Sequence, residues 1–267
     1  MGRFSRLETG TSAPPREQAA SAGNEAPANE AHPEPDAAGY IELGDRALFG
    51  DEPRAALRWY SKALDLDGTR LEAWTRMIMA QLLGGKRGEA DSWIGRALAA
   101  FPGEPALLAL RGVEQAHQGL RKQALASCDA ALERAGEDPL VHVARGQALL
   151  LAGSGNAFHC FNQSVKLAPQ DEWKTPMLVG LILRRQRIRV KAIGYFMQAA
   201  ERNEREPLIW YQVGLCRAEM GRRRQALHAL ATARELCPPE DPLLARIERA
   251  STGSFWRWLM VMLRLGG

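Results

Sequence analysis

The chain has 267 residues, of which 46% are hydrophobic and 25% are charged. This balance is typical of a soluble protein, and the length is enough for one or two ordinary domains or one elongated array. No run of 18 apolar residues occurs, so the sequence predicts no transmembrane helix. The two arginines of the opening MGRFSRLETG precede no apolar stretch, so we expect no secretory signal and a cytoplasmic location. The excess of arginine over lysine is typical of a GC-rich, bacterial genome.

The net charge of +4 is unevenly distributed along the chain. Residues 1–36 contain three arginines and six acids, so the remainder carries about +7. This first segment is rich in Ala, Pro, Glu, Ser and Gly and has no apolar period. Such a composition buries too little surface to offset chain entropy, so we predict a disordered N-terminal segment over 1–36.

A period of 34 residues begins at Ala37. It is visible in AAGYIELGDRALFGDEPRAALRWYSKALDLDG, in LEAWTRMIMAQLLGGKRGEADSWIGRALAAFPGE and in PLIWYQVGLCRAEMGRRRQALHALATARELCPPE. Each copy has an aromatic residue at position 4, an apolar residue at 7 and 24, and alanine at 20 and 27. Apolar residues at three- and four-residue steps predict two amphipathic helices in each copy, and the small residues mark where the helices approach closely.

This pattern resembles the tetratricopeptide repeat family. In the same register six repeats are predicted, at 37–70, 71–104, 105–138, 139–172, 173–206 and 207–240. The resemblance implies an all-α fold, a right-handed α-solenoid of six helix–turn–helix units. DPLLARIERA predicts a capping helix within 241–253, with Asp241 as N-cap, and an apolar aromatic tail follows over 254–267.

The central repeats depart from the family pattern. The usual apolar residue at position 7 is Arg111 in the third repeat and Arg145 in the fourth, and Pro176 occupies position 4 of the fifth. The fourth repeat is one residue short in its middle loop, where the alanine is Ala157. These departures affect helix starts and central packing.

The sequence contains no pattern that carries catalysis. LGGKRG and GSGNAF lack the spacing of phosphate-binding and dinucleotide-binding loops, and no HxxxH occurs. Cys128, Cys160, Cys216 and Cys237 form no CxxC pair, which predicts buried structural thiols and neither disulfides nor a metal site. We therefore predict a protein that is not an enzyme and that has no cofactor.

The resemblance places a concave groove on the first helix of each repeat. We expect this largely apolar groove to bind a peptide or an amphipathic helix of another protein, although some of its side chains could instead pack against the next repeat. The family's clamp for acidic C-terminal peptides is not matched, because Ile41 and Asp45 replace its Lys and Asn. The predicted groove residues are Ile41, Asp45, Leu48, Phe49, Thr75, Met79, Leu82, Val113, Val143, Gln147, Met177, Leu181, Arg184, Tyr211 and Leu215.

A second predicted surface is a basic edge at the turns inside the repeats. It suits an acidic protein or an anionic membrane, and nucleic acid is the weakest of the three partners because few aromatic residues interleave with it. A simple solvated charge run is the alternative. The basic edge comprises Lys86, Arg87, Arg121, Lys122, Arg185, Arg187, Arg189, Lys191, Arg222, Arg223 and Arg224.

The tail SFWRWLMVMLRLGG is too short to span a bilayer as a helix and apolar nearly all round. The apolar tail could be buried in three ways: as a longer cap on the solenoid, by docking on a partner or a second copy, or by attachment to a membrane surface. The tail residues predicted to be buried in one of these ways are Phe255, Trp256, Trp258, Leu259, Met262 and Leu263.

These features together favour a non-catalytic adaptor or scaffold that binds a partner segment in its groove. The alternatives are a peripheral membrane scaffold, anchored by the tail and the basic edge, and an accessory subunit of a larger assembly.

Overall fold

The computed structural model describes residues 34–253, apart from the side chain of Arg87. The N-terminal segment up to residue 33 and the tail from residue 254 lie outside the described residues. The predictions made for those two segments therefore stay predictions.

The described chain is built of helices in consecutive antiparallel pairs. The predicted fold class, six helical pairs followed by a capping helix, is confirmed. The helices are α1 Ala37–Phe49, α2 Pro53–Leu66, α3 Leu71–Leu83, α4 Arg87–Ala100, α5 Pro105–His117, α6 Arg121–Arg134, α7 Pro139–Leu151, α8 Ala157–Leu167, α9 Lys174–Arg185, α10 Arg189–Arg202, α11 Pro207–Glu219, α12 Arg223–Leu236 and α13 243–253.

The two helices of a repeat cross where a glycine of the first helix faces a bulky side chain of the second. A Cβ atom built on Gly44 would lie 2.3 Å from the ring of Tyr60, and one built on Gly180 would lie 2.3 Å from Phe196. Glycine is therefore required sterically at position 8 of these repeats, since real Cβ atoms do not approach so closely. Alanines at positions 20 and 27, such as Ala56 and Ala63, are fully buried on the opposing helix.

Every first helix ends in the same turn. In all six repeats the residue at position 15 has positive φ, and the next N–H bonds the carbonyl five residues earlier, as Glu52 does to Ala47 at 2.8 Å. This is the Schellman arrangement, which satisfies the last carbonyls of a helix and favours glycine at the left-handed position. The second helix of each repeat consequently starts in the same direction relative to the first, and the repeats stack as a solenoid.

The departures in the central repeats have a structural explanation. Arg111 pairs with Asp91 at 3.5 Å, and Arg145 donates to Asp129 at 2.9 Å, so each arginine bridges to the second helix of the preceding repeat. Pro176 lies in the first turn of α9, where no intrahelical N–H bond is lost. The short fourth repeat begins α8 late, at Ala157.

The capping helix closes the C-terminal end of the array. Asp241 accepts a hydrogen bond from the N–H of Leu243 at 2.8 Å, as the sequence predicted for its N-cap. Leu243 and Ile247 are buried against the last repeat. They cover the apolar face that the final pair would otherwise expose.

The close approach at position 8 gives a testable prediction. Gly180→Ala forces a methyl group against the Phe196 ring and is expected to lower the free energy of unfolding by about 1–3 kcal/mol. Gly194→Ala is the matched control in the same repeat, since its Cβ would meet nothing within 4 Å. In the helix α10 that change should raise stability by up to about 1 kcal/mol. Urea unfolding of both variants tests the prediction, and equal stabilities would contradict it.

Candidate interaction site

The predicted groove residues lie on the first helices of the repeats, and nearly all of them are covered by the chain itself. Thirteen of the fifteen are buried, with Val113 and Met177 fully so; Arg184 and Leu215 are half-buried. The groove of repeats one to six is thus largely filled in this structure and offers little open surface.

The first repeat covers the part of the groove that lies on the fifth and sixth repeats. Helix α1 packs against α9 and α11 as well as against its neighbours. The ring of Phe49 lies 5.4 Å from that of Trp173, and the amide of Gln212 donates to the Phe49 carbonyl at 2.6 Å. The array therefore curls until its first helix meets the fifth and sixth repeats. We call this contact the closure.

Asp45 is the buried centre of the closure. Its carboxylate is only 1% exposed, accepts a hydrogen bond from the Tyr60 hydroxyl at 2.8 Å and lies 3.0 Å from Lys174 Nζ and 3.6 Å from Arg76 Nε. These three partners belong to repeats one, five and two. A buried carboxylate without such partners would be strongly destabilising, so Asp45 favours the arrangement in which all three repeats are in place.

The electrostatics of this centre shift the titration of its partners. Burial opposes the charge of Lys174, but Asp45 and Glu42 outweigh it and raise the pKa of the ammonium group above its usual value. Burial, followed by the negative charge of Asp45, raises the pKa of Tyr60 well above 10. Lys174 is therefore charged and Tyr60 neutral throughout the neutral pH range.

A second cluster of ion pairs lies at the C-terminal end of α1. The carboxylate of Asp51 lies 3.1 Å from Arg185 and 3.3 Å from Arg184. Arg185 also donates to the carbonyl of Leu83 at 2.6 Å, which joins the fifth repeat to the second. Arg184 is shared with Glu219 of the sixth repeat at 2.6 Å.

Asp51 occupies a backbone position that suits glycine. Its φ of +68° is left-handed, and the same position in four other repeats is Gly85, Gly119, Gly153 and Gly221. The left-handed conformation costs a non-glycine residue roughly 1–2 kcal/mol, although Asp tolerates it better than most. The sequence keeps this carboxylate where glycine is the easier choice, which indicates a role for the charge.

The capping helix extends the closure. Arg246 lies 3.1 Å from Glu52 and over the ring of Tyr211, and Arg46 pairs with Asp241. Partly exposed ion pairs contribute about 0.2–1 kcal/mol each, so the closure is weaker than the apolar stacking between successive repeats.

Sequence analysis did not identify Lys174, Asp51, Gln212 or Arg246 as site residues. A signal was present in one case, because aligning position 15 of the repeats sets Asp51 against four glycines. The pairing of residues more than 120 positions apart has no such signal in a single sequence.

One end of the groove stays open, as a cleft of about 570 Å³. The N-terminal ends of α3, α5, α7 and α9 surround it, so successive repeats contribute equivalent residues. Its floor includes Leu140, Val143 and Leu178, and its rim carries four carboxylates. These carboxylates are Glu72, Glu104, Asp138 and Glu172.

The cations of the cleft are neutralised by ion pairs, whereas not all of its carboxylates are. Both cations are paired, Arg76 with Asp45 and Glu72, and Lys174 with Asp45 and Glu42. Asp138 accepts from the Leu140 N–H at 2.7 Å as the cap of α7. The rim is therefore acidic beyond what its own cations neutralise.

The predicted basic edge is divided by the fold. Arg185 belongs to the closure, Arg189 pairs with Glu219 at 2.9 Å, and Lys86 pairs with Glu89 at 2.8 Å. The side chain of Arg87 lies outside the described part of the chain, and Arg223 is half-buried with an interaction of its own. The members that are exposed and lie outside the closure are Arg121, Lys122, Arg187, Lys191, Arg222 and Arg224.

The described residues contain no cluster typical of a metal site, and their cysteines are buried. No group of three or more His, Cys, Asp or Glu side chains among them could hold a metal ion. All four cysteines are free and buried, as the sequence predicted, and burial raises the pKa of Cys128 to about 12 and that of Cys216 to about 11. Burial thus suppresses the reactive thiolate of Cys128 and Cys216. Within 34–253, none of the helices has the length and apolar character to cross a membrane.

The stack of helical pairs, with its glycine–large contacts and Schellman turns, is the tetratricopeptide-repeat fold. No family model matches the chain, and no curated protein matches it.

Similar helical arrays occur among solved structures. The Cut9–Hcn1 hetero-tetramer of the APC/C is 18% identical with a TM-score of 0.41; the match covers 80% of this chain and 43% of that one. A tetratricopeptide repeat protein of Parabacteroides merdae is 14% identical, with 82% and 84% coverage and a TM-score of 0.45. TTC0263 of Thermus thermophilus is 18% identical, with 80% and 98% coverage and a TM-score of 0.42. This chain thus spans less than half of the Cut9–Hcn1 chain, and the likeness is one of fold alone.

The buried hydrogen bond at the centre of the closure is testable by Tyr60→Phe. Removing the hydroxyl leaves Asp45 with one donor fewer and is expected to cost about 1–3 kcal/mol of unfolding free energy at pH 7. The folded-state pKa of Tyr60 is raised, so its contribution is complete below pH 10 and falls as the unfolded state ionises above it. The stability gap between wild type and variant should therefore narrow above pH 10. Denaturant unfolding from pH 7 to 11 measures it, and a gap that is absent at pH 7 contradicts the assignment.

Proposed function

We propose that this protein is a non-catalytic adaptor that captures a segment of another protein in the open cleft. The observation that carries the proposal is the cleft itself, in which equivalent helix ends from four repeats converge on an apolar floor with a charged rim. Such a concave, preformed and mostly apolar surface is what peptide recognition uses.

The cleft also indicates the chemistry of the segment. Apolar side chains of the partner would cover Leu140 and Leu178, and lysine or arginine side chains would meet Glu104 and the other rim carboxylates. Charge complementarity of this kind sets specificity and association rate more than affinity. The predicted groove residues Thr75 and Val143 belong to this cleft, so the proposal keeps the part of the groove that is open.

The test is selection from a random peptide library against the full chain. We expect enriched peptides that combine apolar residues with lysine or arginine. Leu140→Arg in the full chain removes an apolar contact and repels such peptides, so affinity should fall by about tenfold or more.

The matched control is Leu66→Arg, which makes the same substitution at a side chain that is 60% exposed and outside the cleft. Affinity for the control should stay within about twofold of wild type. Enrichment of no peptide family, or equal binding to both variants, would overturn the proposal.

A second candidate is a peripheral membrane scaffold, and the exposed part of the basic edge favours it. Val190 is 69% exposed and lies in the sequence between the exposed cations Arg187 and Lys191, a combination that suits an anionic lipid surface. The tail after Gly253 would supply the apolar anchor. Co-flotation with anionic vesicles should then occur for the full chain and be lost on truncation after Gly253. Equal behaviour of the two chains excludes an anchoring tail.

A further inference from the structure

We propose that the first repeat is a displaceable cover, and that an acidic amphipathic helix of a partner protein takes its place on α9 and α11. The covered surface shares Lys174 with the lining of the open cleft and otherwise involves other residues. The inference rests on the proposed function only in treating the protein as an adaptor. The structure supplies the argument because α1 itself shows what this surface accepts.

The covered surface is cationic. Helix α9 presents Lys174 at one end and Arg184 and Arg185 at the other. They meet carboxylates that α1 and the turn after it supply: Lys174 meets Glu42 and Asp45, and both arginines meet Asp51. Removing α1 would leave Lys174 and Arg185 without a carboxylate partner among those the structure records, while Arg184 keeps Glu219. An occupant that replaces α1 must therefore be acidic.

The surface also recognises the end of a helix. The Gln212 amide donates to the carbonyl of Phe49, the last residue of α1, and the two arginines lie beside that same end. Donors and cations are favourable at a helix C-terminus, where carbonyls lack intrahelical partners and the helix dipole is negative. Trp173 packs against the Phe49 ring, so an apolar side chain in the last turn is also accommodated. The partner is thus an amphipathic helix with carboxylates along it and directly after its end.

The cover can leave without dismantling the array. In a solenoid each repeat depends on its neighbours, and the first repeat has only one, the second. Displacing it from α9 and α11 breaks the ion pairs of Lys174 with Glu42 and with the buried Asp45, the pairs that Asp51 makes with two arginines, one amide hydrogen bond and one aromatic contact. The pairs of Arg46 and Glu52 with the capping helix are also lost. Asp45 keeps Tyr60 and Arg76, which belong to the first two repeats, as partners. The apolar stacking of repeats two to six stays intact.

The left-handed Asp51 is the second observation that points to this role. Four repeats place glycine there, and the first repeat places the carboxylate that reaches two arginines. The fifth repeat also departs from glycine, with Arg187 at φ +62° and exposed. Asp51 and Arg187 provide a matched comparison, because their backbones have the same conformation and, of the two, only Asp51 contacts the opposite end of the array.

The experiment measures binding of a synthetic peptide, residues 37–52 of this chain, to the full chain by fluorescence anisotropy at low salt. Wild type should bind weakly, because its own first repeat competes for the surface. Asp51→Gly loses the carboxylate while restoring the usual turn residue, so the cover opens more often and the peptide should bind about tenfold tighter. Arg187→Gly makes the same backbone change outside the closure and should bind as wild type does.

A second peptide, with Asn or Gln at positions 42, 45, 51 and 52, tests the charge requirement and should not bind. Equal binding of the acidic peptide to wild type and to Asp51→Gly would overturn the proposal. It would also be overturned if the neutral peptide bound as tightly as the acidic one. Absence of binding to both proteins would overturn it too. The Leu140→Arg variant separates the two surfaces: it should lose library peptides and keep the 37–52 peptide, so failure of either proposal is recognised independently.

Discussion

The closure between the first repeat and the fifth is the contact that decides what this solenoid presents to other molecules. It depends on Asp45, a buried carboxylate held by Tyr60, Lys174 and Arg76 from three repeats. With these partners the charge is compensated, and the first helix covers the inner face of α9 and α11. Without them the carboxylate would have to return to water, and the groove would open.

The regular part of the structure makes this contact possible. Glycine against a large side chain, as in Gly44 with Tyr60, fixes the crossing of the two helices in a repeat. The Schellman turns then repeat one geometry along the chain. Because each repeat adds a similar rotation, the array curls until its ends meet. The charged pairs between the ends require side chains at particular places, and the sequence provides them at Asp51 and Lys174.

Much of the fold could be predicted from the sequence, because its determinants are local and repeated six times. Small residues at positions 8, 20 and 27 and the capping Asp241 give the helical pairs and the final cap. The environment of the groove could not be predicted in the same way. Position rules assign Phe49 and Met177 to a concave face, but only the curvature of the whole array decides whether that face is open. Arg185 illustrates the same limit, since its local sequence is a basic run and its partners are Asp51 and the Leu83 carbonyl.

The most direct measurement is zero-length carbodiimide cross-linking of the full chain in dilute solution, followed by proteolysis and mass spectrometry of the monomer. The closure brings Lys174 Nζ to 2.5 Å from the Glu42 carboxylate, and Lys86 with Glu89 at 2.8 Å provides a local control. The account predicts an intramolecular link between Lys174 and Glu42 that weakens with added salt. The local link without the Lys174–Glu42 link would show an open array and contradict the account.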